Sequence, residues 1–115
     1  MEKFDHEKLD VYQIAIEFVA IADNIIENPP RGRSYLADQF QRAATSICLN
    51  IAESAGEYSK NEKARFYRMA KRSATECAAI MDVCSNLNIV ENEIRDKGRE
   101  LLLRIVSMLV KMVKR

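Results

Sequence analysis

The sequence predicts an all-α fold, and within that class an antiparallel up-and-down four-helix bundle. Its 115 residues include three Gly, two Pro and no Trp, whereas Ala, Leu, Ile, Lys, Arg and Glu are abundant, which is a helix-forming composition. Apolar residues recur at three- and four-residue steps in four long segments. The length suits one domain, 1–115, and the short connections favour antiparallel neighbouring helices.

The first predicted helix covers residues 5–28 and has an unusually wide apolar face. One seam consists of Leu9, Tyr12, Ile16, Val19 and Ile26, and a second seam beside it consists of Val11, Ala15, Phe18, Ala22 and Ile25. Such a face exceeds what one bundle contact needs, so we expect Val11, Phe18 and Ile25 to form a subunit interface. Pro29 and Pro30 stop the helix, because each lacks an amide proton and restricts the residue before it.

Three further helices are predicted, at residues 35–56, 60–87 and 92–114. Ser34 is the expected N-cap of the second helix, which should end near Gly56.

The third and fourth helices carry sharper local signals. Ser59 and Glu62 have the spacing of a capping box, in which side chain and backbone satisfy each other's free donors. Asn88 can adopt the left-handed conformation that closes a helix. Gly98 falls on the apolar seam of the last helix and costs about 1 kcal/mol against Ala, unless another backbone packs closely there.

A polar stripe with helical period runs along the second helix. It consists of Gln39, Arg42, Ser46, Asn50 and Glu53, and a shorter counterpart on the third helix consists of Arg65, Arg72, Ser73 and Glu76. The stripe is either a solvated outer face or a half-buried network between the two helices. In the second case Arg42 would pair with Glu76, and Asn50 would bind a neighbouring carbonyl. Such a network would fix helix register more than it would add stability.

The formal net charge is +1, so the chain as a whole has no strong electrostatic field that would attract nucleic acid or a membrane. The charges are nevertheless segregated along the chain. Residues 1–28 hold seven acids against two bases, a net of −5, whereas residues 57–72 hold six bases against two acids, a net of +4. Residues 95–115 hold seven bases against two acids, a net of +5. This asymmetry suits pairing between helices or subunits at least as well as binding to a polyanion.

The sequence lacks the parts of the common catalytic and metal sites. Cys48, Cys77 and Cys84 form no CxxC pair, and the single histidine, His6, lies in a polar N-terminal stretch, so zinc binding is not expected. We expect the cysteines to be small core residues. Glu53 and Glu76 could be imagined as paired carboxylates or metal ligands, but the Glu-x-x-His pairs of di-iron bundles are absent.

The residues needed for nucleophilic catalysis are also missing, because no histidine lies near a Ser or Cys candidate. The sequence contains no Gly-rich phosphate loop either. We therefore expect no enzyme activity, no cofactor, no metal and no small-molecule substrate. The charged N-terminus does not resemble a signal peptide, and no apolar run approaches the roughly 20 residues of a membrane span. Together with reduced thiols, this predicts a cytoplasmic protein without membrane contact.

The second helix carries a distinctive pattern of residues, which consists of Leu36, Gln39, Arg42, Ala43, Ser46, Ile47, Asn50, Ile51, Ala52 and Glu53. This pattern resembles that of a known bacterial family, the ribosomal RNA intervening-sequence proteins. These proteins are encoded within insertions in large-subunit ribosomal RNA genes. The flanking segments contribute Leu9, Val11, Ala15, Ser59, Phe66, Ala70, Ser73 and Glu76, so that the similarity covers nearly the whole chain.

The resemblance implies an antiparallel four-helix bundle that assembles as a ring-like homopentamer, without a settled biochemical activity. A similar protein, the accessory protein of diversity-generating retroelements, binds nucleic acid and partners a reverse transcriptase. That relative is strongly basic, whereas this chain is near neutral.

The leading hypothesis is a non-enzymatic homo-oligomer that contacts RNA or a ribonucleoprotein through the third helix. The candidate contact residues are Lys60, Lys63, Arg65, Arg68, Lys71 and Arg72, and Tyr58 and Tyr67 could add base stacking. Alternatively, these bases are solvated or pair with the acidic first helix. The rival function is a protein-interaction scaffold without nucleic-acid binding.

Overall fold

A computed structural model describes residues 2–114 and confirms the predicted all-α four-helix bundle. A short 3-10 helix, Asp5–Lys8, precedes the four α-helices α1 (Asp10–Ile25), α2 (Ser34–Ala55), α3 (Lys60–Asn86) and α4 (Asn92–Lys114). In this part of the chain, α2 packs on α1 and α3, and α4 packs on α3 and α1. Within the described residues, no Cα atoms of the two diagonal helix pairs lie within 8 Å of each other, which is the arrangement of an up-and-down bundle.

The first helix is shorter than the predicted range 5–28 at both ends. Residues 5–8 form a separate 3-10 helix, in which the Phe4 amide donates to Glu7 Oε1 at 2.9 Å, and Leu9 is extended. At the other end Ile26 leaves helical geometry while its side chain stays buried. The helix therefore ends before Asn28, the residue that Pro29 restricts.

The predicted caps of α2 and α3 differ in outcome. The N-cap of α2 is Arg33, without a side-chain cap, and Ser34 is the first helical residue. At α3, Ser59 Oγ accepts a hydrogen bond from the Glu62 amide at 3.0 Å, which confirms one half of the predicted capping box. The reciprocal bond, from the Ser59 amide to the Glu62 carboxylate, is absent among the described residues. The Glu62 carboxylate accepts from Arg65 Nε at 3.1 Å.

The end of α3 has the predicted left-handed residue. Asn88 has a φ of 58°, its amide donates to the Ser85 carbonyl at 3.1 Å, and the Ile89 amide donates to the Cys84 carbonyl at 2.9 Å. This pair of bonds is the Schellman motif, which satisfies carbonyls that the helix end would leave free.

The core uses the second apolar seam of α1, which was predicted to form a subunit interface. Val11, Phe18 and Ile25 are buried inside the single chain, and the Phe18 ring packs edge-on against Phe40 at 5.9 Å between centroids. The interface prediction for Val11, Phe18 and Ile25 is therefore wrong. The physical reason is that α1 packs on both α2 and α4 and needs a wide face. Ile16, assigned to the core seam, is instead 43% exposed.

Gly98 of α4 provides the space for this packing. It is buried, and a Cβ atom at this position would lie 2.9 Å from Ile25 Cδ1 and 3.6 Å from Phe18 Cε1. The predicted close approach at Gly98 exists, but side chains of α1 make it, not a second backbone.

The three cysteines are core residues, as predicted. Cys48, Cys77 and Cys84 are buried free thiols. Burial raises the pKa of Cys48 to about 11 and that of Cys77 to about 12, and it also raises the pKa of Cys84. Thiols with raised pKa values stay protonated at neutral pH and are poor nucleophiles.

Candidate nucleic-acid interface

The outer face of α3 carries three basic side chains within five residues. Arg68, Lys71 and Arg72 are exposed and lie on one side of the helix, because residues three or four apart are neighbours on its surface. Within residues 2–114, no carboxylate oxygen lies within 4.0 Å of their side-chain nitrogens. They share a shallow groove that is lined by Arg68, Lys71, Arg72, Thr75, Glu76 and Ala79. We call Arg68, Lys71 and Arg72 the basic cluster.

Two of the other predicted contact residues have partners inside the chain. Half-buried Lys63 donates from Nζ to the Ser54 carbonyl at 3.2 Å and so ties the start of α3 to the end of α2. Arg65 pairs with Glu62, and its guanidinium carbon lies 4.8 Å from the centroid of the Phe66 ring. The six predicted bases therefore do not form one equivalent set.

The remaining predicted contacts lie at the start of α3 and in its interior. Lys60 is the first residue of the helix and is exposed, close in sequence to the fully exposed Tyr58. Tyr67 is buried, so its predicted stacking role is wrong. Its position on α3 faces the core together with Ala70 and Ala74, and a buried ring has no face left for a base.

The acidic first helix does not neutralise the basic cluster within one chain. α1 and α3 occupy diagonal positions of the bundle, and no ion pair joins them among the described residues. The expectation that the bases of α3 pair with acids of α1 is therefore wrong for a single chain.

Part of the polar stripe forms a half-buried network between α2 and α3, as one of the two interpretations predicted. Asn50 Nδ2 donates to the Ser46 carbonyl at 2.9 Å and to Ser46 Oγ at 3.0 Å. Ser73 Oγ of α3 donates to Ser46 Oγ at 2.9 Å. Ser46 thus receives bonds from both helices, which couples their register.

The remaining residues of the α2 stripe, and Glu76 of its α3 counterpart, are solvated. Gln39, Arg42, Glu53 and Glu76 are exposed, and the part of the chain that the structure describes contains no ion pair between Arg42 and Glu76. That proposed pair is wrong, because both side chains point to water outside the packed strip of Ser46 and Ser73.

Neither a metal-binding cluster nor a membrane-spanning helix occurs among the described residues. Residues 2–114 contain no cluster of three or more His, Cys, Asp or Glu side chains with the geometry to hold a metal ion. None of the helices in the same range combines the length and hydropathy needed to cross a membrane.

Comparison with known proteins identifies the family. The model of the family described as 23S rRNA-intervening sequence protein matches residues 7–111. The chain belongs to the 23S rRNA-intervening sequence protein family. The match includes the basic cluster of α3 and the whole polar stripe of α2, so both features lie within the part of the chain that defines membership.

The fold of this 23S rRNA-intervening sequence protein is shared with a crystal structure. A protein of unknown function from the S23 ribosomal protein family of Bacteroides thetaiotaomicron VPI-5482, determined at 1.70 Å, matches with a TM-score of 0.77 and 18% sequence identity. The alignment covers 91% of this chain and 99% of that chain. At this identity the similarity shows a common fold. No curated relative matches the chain.

Proposed function

We propose that this member of the 23S rRNA-intervening sequence protein family is a non-enzymatic, homo-oligomeric, cytoplasmic protein that binds RNA through the basic cluster of α3. The observation that carries the proposal is that Arg68, Lys71 and Arg72 are exposed together without a carboxylate partner in residues 2–114. Guanidinium groups without such a partner can bind phosphate in a bidentate manner, and phosphate contacts supply most non-specific affinity for nucleic acid.

The geometry sets the expected strength of this contact. Three basic side chains contact about three phosphates, which corresponds to a slope of about −2 for log affinity against log salt with single-stranded RNA. Tyr58 and Lys60 lie at the start of the same helix and can extend the surface by one stacking contact and one phosphate contact.

The test is RNA binding as a function of salt, measured by fluorescence anisotropy with a labelled RNA hairpin and a single-stranded RNA of equal length. The double variant Arg68→Glu with Arg72→Glu should weaken binding by tenfold or more and flatten the salt dependence. Arg31→Glu with Arg33→Glu is the matched control, because both arginines are exposed in the α1–α2 connection and the change in net charge is the same.

Two results would overturn the RNA contact. One is the absence of binding above background near physiological salt. The other is an equal loss of RNA affinity in the α3 double variant and in the control, which would show that the loss comes from the change in net charge and not from the position of the arginines.

The self-association part of the proposal is supported by exposed aliphatic side chains on three helices. Ile16 of α1, Leu49 of α2 and Leu103 of α4 are 43%, 60% and 59% exposed. The family resemblance implies five copies. Native mass measurement of the protein purified from its own cells reports copy number and retained RNA together, and a mass of one chain would contradict self-association.

One observation favours the alternative function of a protein-interaction scaffold. Leu49 is exposed beside a shallow groove of α2 that is lined by Asp38, Gln41, Arg42, Thr45, Ser46 and Leu49. Exposed aliphatic residues with a polar rim are typical of protein contacts. Recovery of one defined protein in a pull-down that survives nuclease treatment, and is lost in Leu49→Glu, would support this alternative.

A further inference from the structure

A polar groove lies where the end of α3 meets the start of α4. It has a volume of about 800 Å³, which is in the range of small-ligand sites. Its lining includes Asp82 and Asn86 of α3, Arg95 and Arg99 of α4, and the apolar side chain of Met81. We call this surface the α3–α4 groove.

The guanidinium of Arg95 is held in place by residues of both helices. Arg95 is half-buried, and its Nη1 donates to Ser85 Oγ of α3 at 3.3 Å. Its Nε and Nη2 both donate to Asp96 Oδ1, at 3.1 and 3.0 Å. A planar guanidinium in a fixed position provides a surface on which a nucleobase can stack.

Asp82 and Arg99 line the same groove without pairing with each other. Both are exposed, and within residues 2–114 no oppositely charged side-chain atom lies within 4.0 Å of either one. The groove therefore offers a carboxylate acceptor on α3 and a guanidinium donor on α4. A phosphate in the groove would meet the Asp82 carboxylate, which is unfavourable, so the groove favours a neutral ligand with both donors and acceptors.

Guanine is the RNA base whose edges match this pair of side chains. Its N1–H and N2–H groups lie side by side and can both donate to one carboxylate, whereas O6 and N7 can accept from one arginine. Adenine, cytosine and uracil lack two neighbouring nitrogen donors on one edge. Because N1–H and N2–H are occupied in a Watson–Crick pair, the matching guanine must be unpaired.

The α3–α4 groove continues the groove of the basic cluster along α3. Ala79 lines the groove of the basic cluster and Asp82 lines the α3–α4 groove, and residues three apart are neighbours on a helix. Arg72 and Asp82 are ten residues apart, which corresponds to about 15 Å along the helix axis. An RNA strand held by its phosphates at the basic cluster can therefore place the base of a nearby nucleotide in the α3–α4 groove.

We infer that the α3–α4 groove binds an unpaired guanine base of the RNA whose phosphates contact the basic cluster. Asp82 accepts from guanine N1–H and N2–H, Arg99 donates to O6 and N7, and Arg95 stacks on the base. The inference rests on the proposed RNA binding and adds a base preference to it, since phosphate contacts carry no sequence information. A free guanine nucleotide offers the same base, but a strand gains further phosphate contacts at the basic cluster.

Fluorescence anisotropy with labelled single-stranded RNAs of equal length tests the base preference. The probes are an oligouridine with one central guanine and the same strand with adenine, inosine or 7-deazaguanine at that position. The guanine strand should bind about tenfold more tightly than the adenine strand, because a bidentate base contact discriminates by this amount or more. Inosine lacks the N2 amino group and 7-deazaguanine lacks N7, so both strands should bind with intermediate affinity.

Two variants test the two side chains separately. Asp82→Asn should abolish the preference for guanine over adenine, because an amide offers one acceptor oxygen where the carboxylate offers two. Arg99→Gln should remove the difference between guanine and 7-deazaguanine. Glu53→Gln is the matched control for Asp82→Asn, because Glu53 is an exposed acid of α2 outside the groove and the change in charge is the same. It should keep the full preference for guanine.

The outcomes separate the groove from the proposed function. Equal affinities for the guanine and adenine strands, with salt-dependent RNA binding present, would refute the guanine site while the proposed function stands. A guanine preference that survives Asp82→Asn would also overturn the inference. Binding of no strand would refute the proposed function and the guanine site together. Competition by guanosine monophosphate as effective as that of the unlabelled guanine strand would assign the groove to free nucleotides and contradict its role in RNA binding.

Discussion

Gly98 of α4 faces Ile25 of α1 so closely that a Cβ atom at position 98 would lie 2.9 Å from Ile25 Cδ1. Real Cβ atoms do not approach a non-bonded atom this closely. Ile25 can therefore keep its present position only because residue 98 is a glycine. Relative to alanine, the glycine lowers the stability of α4 by about 1 kcal/mol through its low helix propensity. The space that it leaves accommodates the Ile25 side chain of α1.

The effect of Gly98→Ala should depend on residue 25. In the parent protein the gain in helix propensity is offset by displacement of Ile25, so the free energy of unfolding should change little. In the Ile25→Val background, which lacks Cδ1, the same substitution should add up to about 1 kcal/mol. Urea unfolding of the four proteins measures this cycle. Equal effects in both backgrounds would contradict the steric relationship.

Phe18→Ala should lower the free energy of unfolding by about 3–5 kcal/mol, because it removes a buried ring and leaves a cavity between α1 and α2. Val83→Ala is the control, since Val83 is an exposed aliphatic residue of α3 and its loss should cost little. Denaturant titration of both variants checks the difference. If Phe18→Ala changed only the assembly state and not the stability of one chain, the core assignment of α1 would be wrong.

Ser46, Asn50 and Ser73 should behave as a coupled unit. Ser73→Ala removes the bond that crosses from α3 to α2 and should cost about 0.5–1.5 kcal/mol. Combining it with Ser46→Ala should cost less than the sum of the single changes, because both remove the same bond. Ser107→Ala, at an exposed position of α4, is the matched control. Strict additivity would show that the serine pair contributes nothing.

Stability should fall in alkaline solution because of the buried thiols. The pKa of Cys48 is about 11 in the folded protein against a usual 9.0, so above pH 9 the unfolded chain releases a proton that the folded chain retains. The contribution of Cys48 is thus complete below pH 9 and declines between pH 9 and 11, by about 1.4 kcal/mol per pH unit. Unfolding from pH 8 to 10.5 with reductant should show a shallower decline in Cys48→Ala. Identical slopes would contradict the buried thiol.

The four helices and two of their caps were predictable because they depend on local chemistry, whereas the predicted Ser34 cap was wrong, since Arg33 occupies the N-cap position of α2. The Ser59 cap needs a hydroxyl and the amide three residues on, and Asn88 needs a residue that tolerates the left-handed conformation. The polar stripe predicted that Asn50 would bind a neighbouring carbonyl, which is that of Ser46, and that Ser46 and Ser73 would belong to a network between α2 and α3. The pairing of Arg42 with Glu76 was not realised, because helical period gives the side of a helix but not its distance from the neighbouring helix.

The sequence alone determined that the chain forms four amphipathic helices, since apolar spacing, two prolines and few glycines leave no other regular structure. It also determined that bases concentrate on α3 and acids on α1. Only the tertiary structure decided which seam of α1 is buried, because two adjacent seams have the same period and the choice depends on how α2 and α4 pack against α1. The tertiary structure likewise decided that acidic α1 and basic α3 stand diagonally apart, since charge pairing requires proximity and the order of packing sets it.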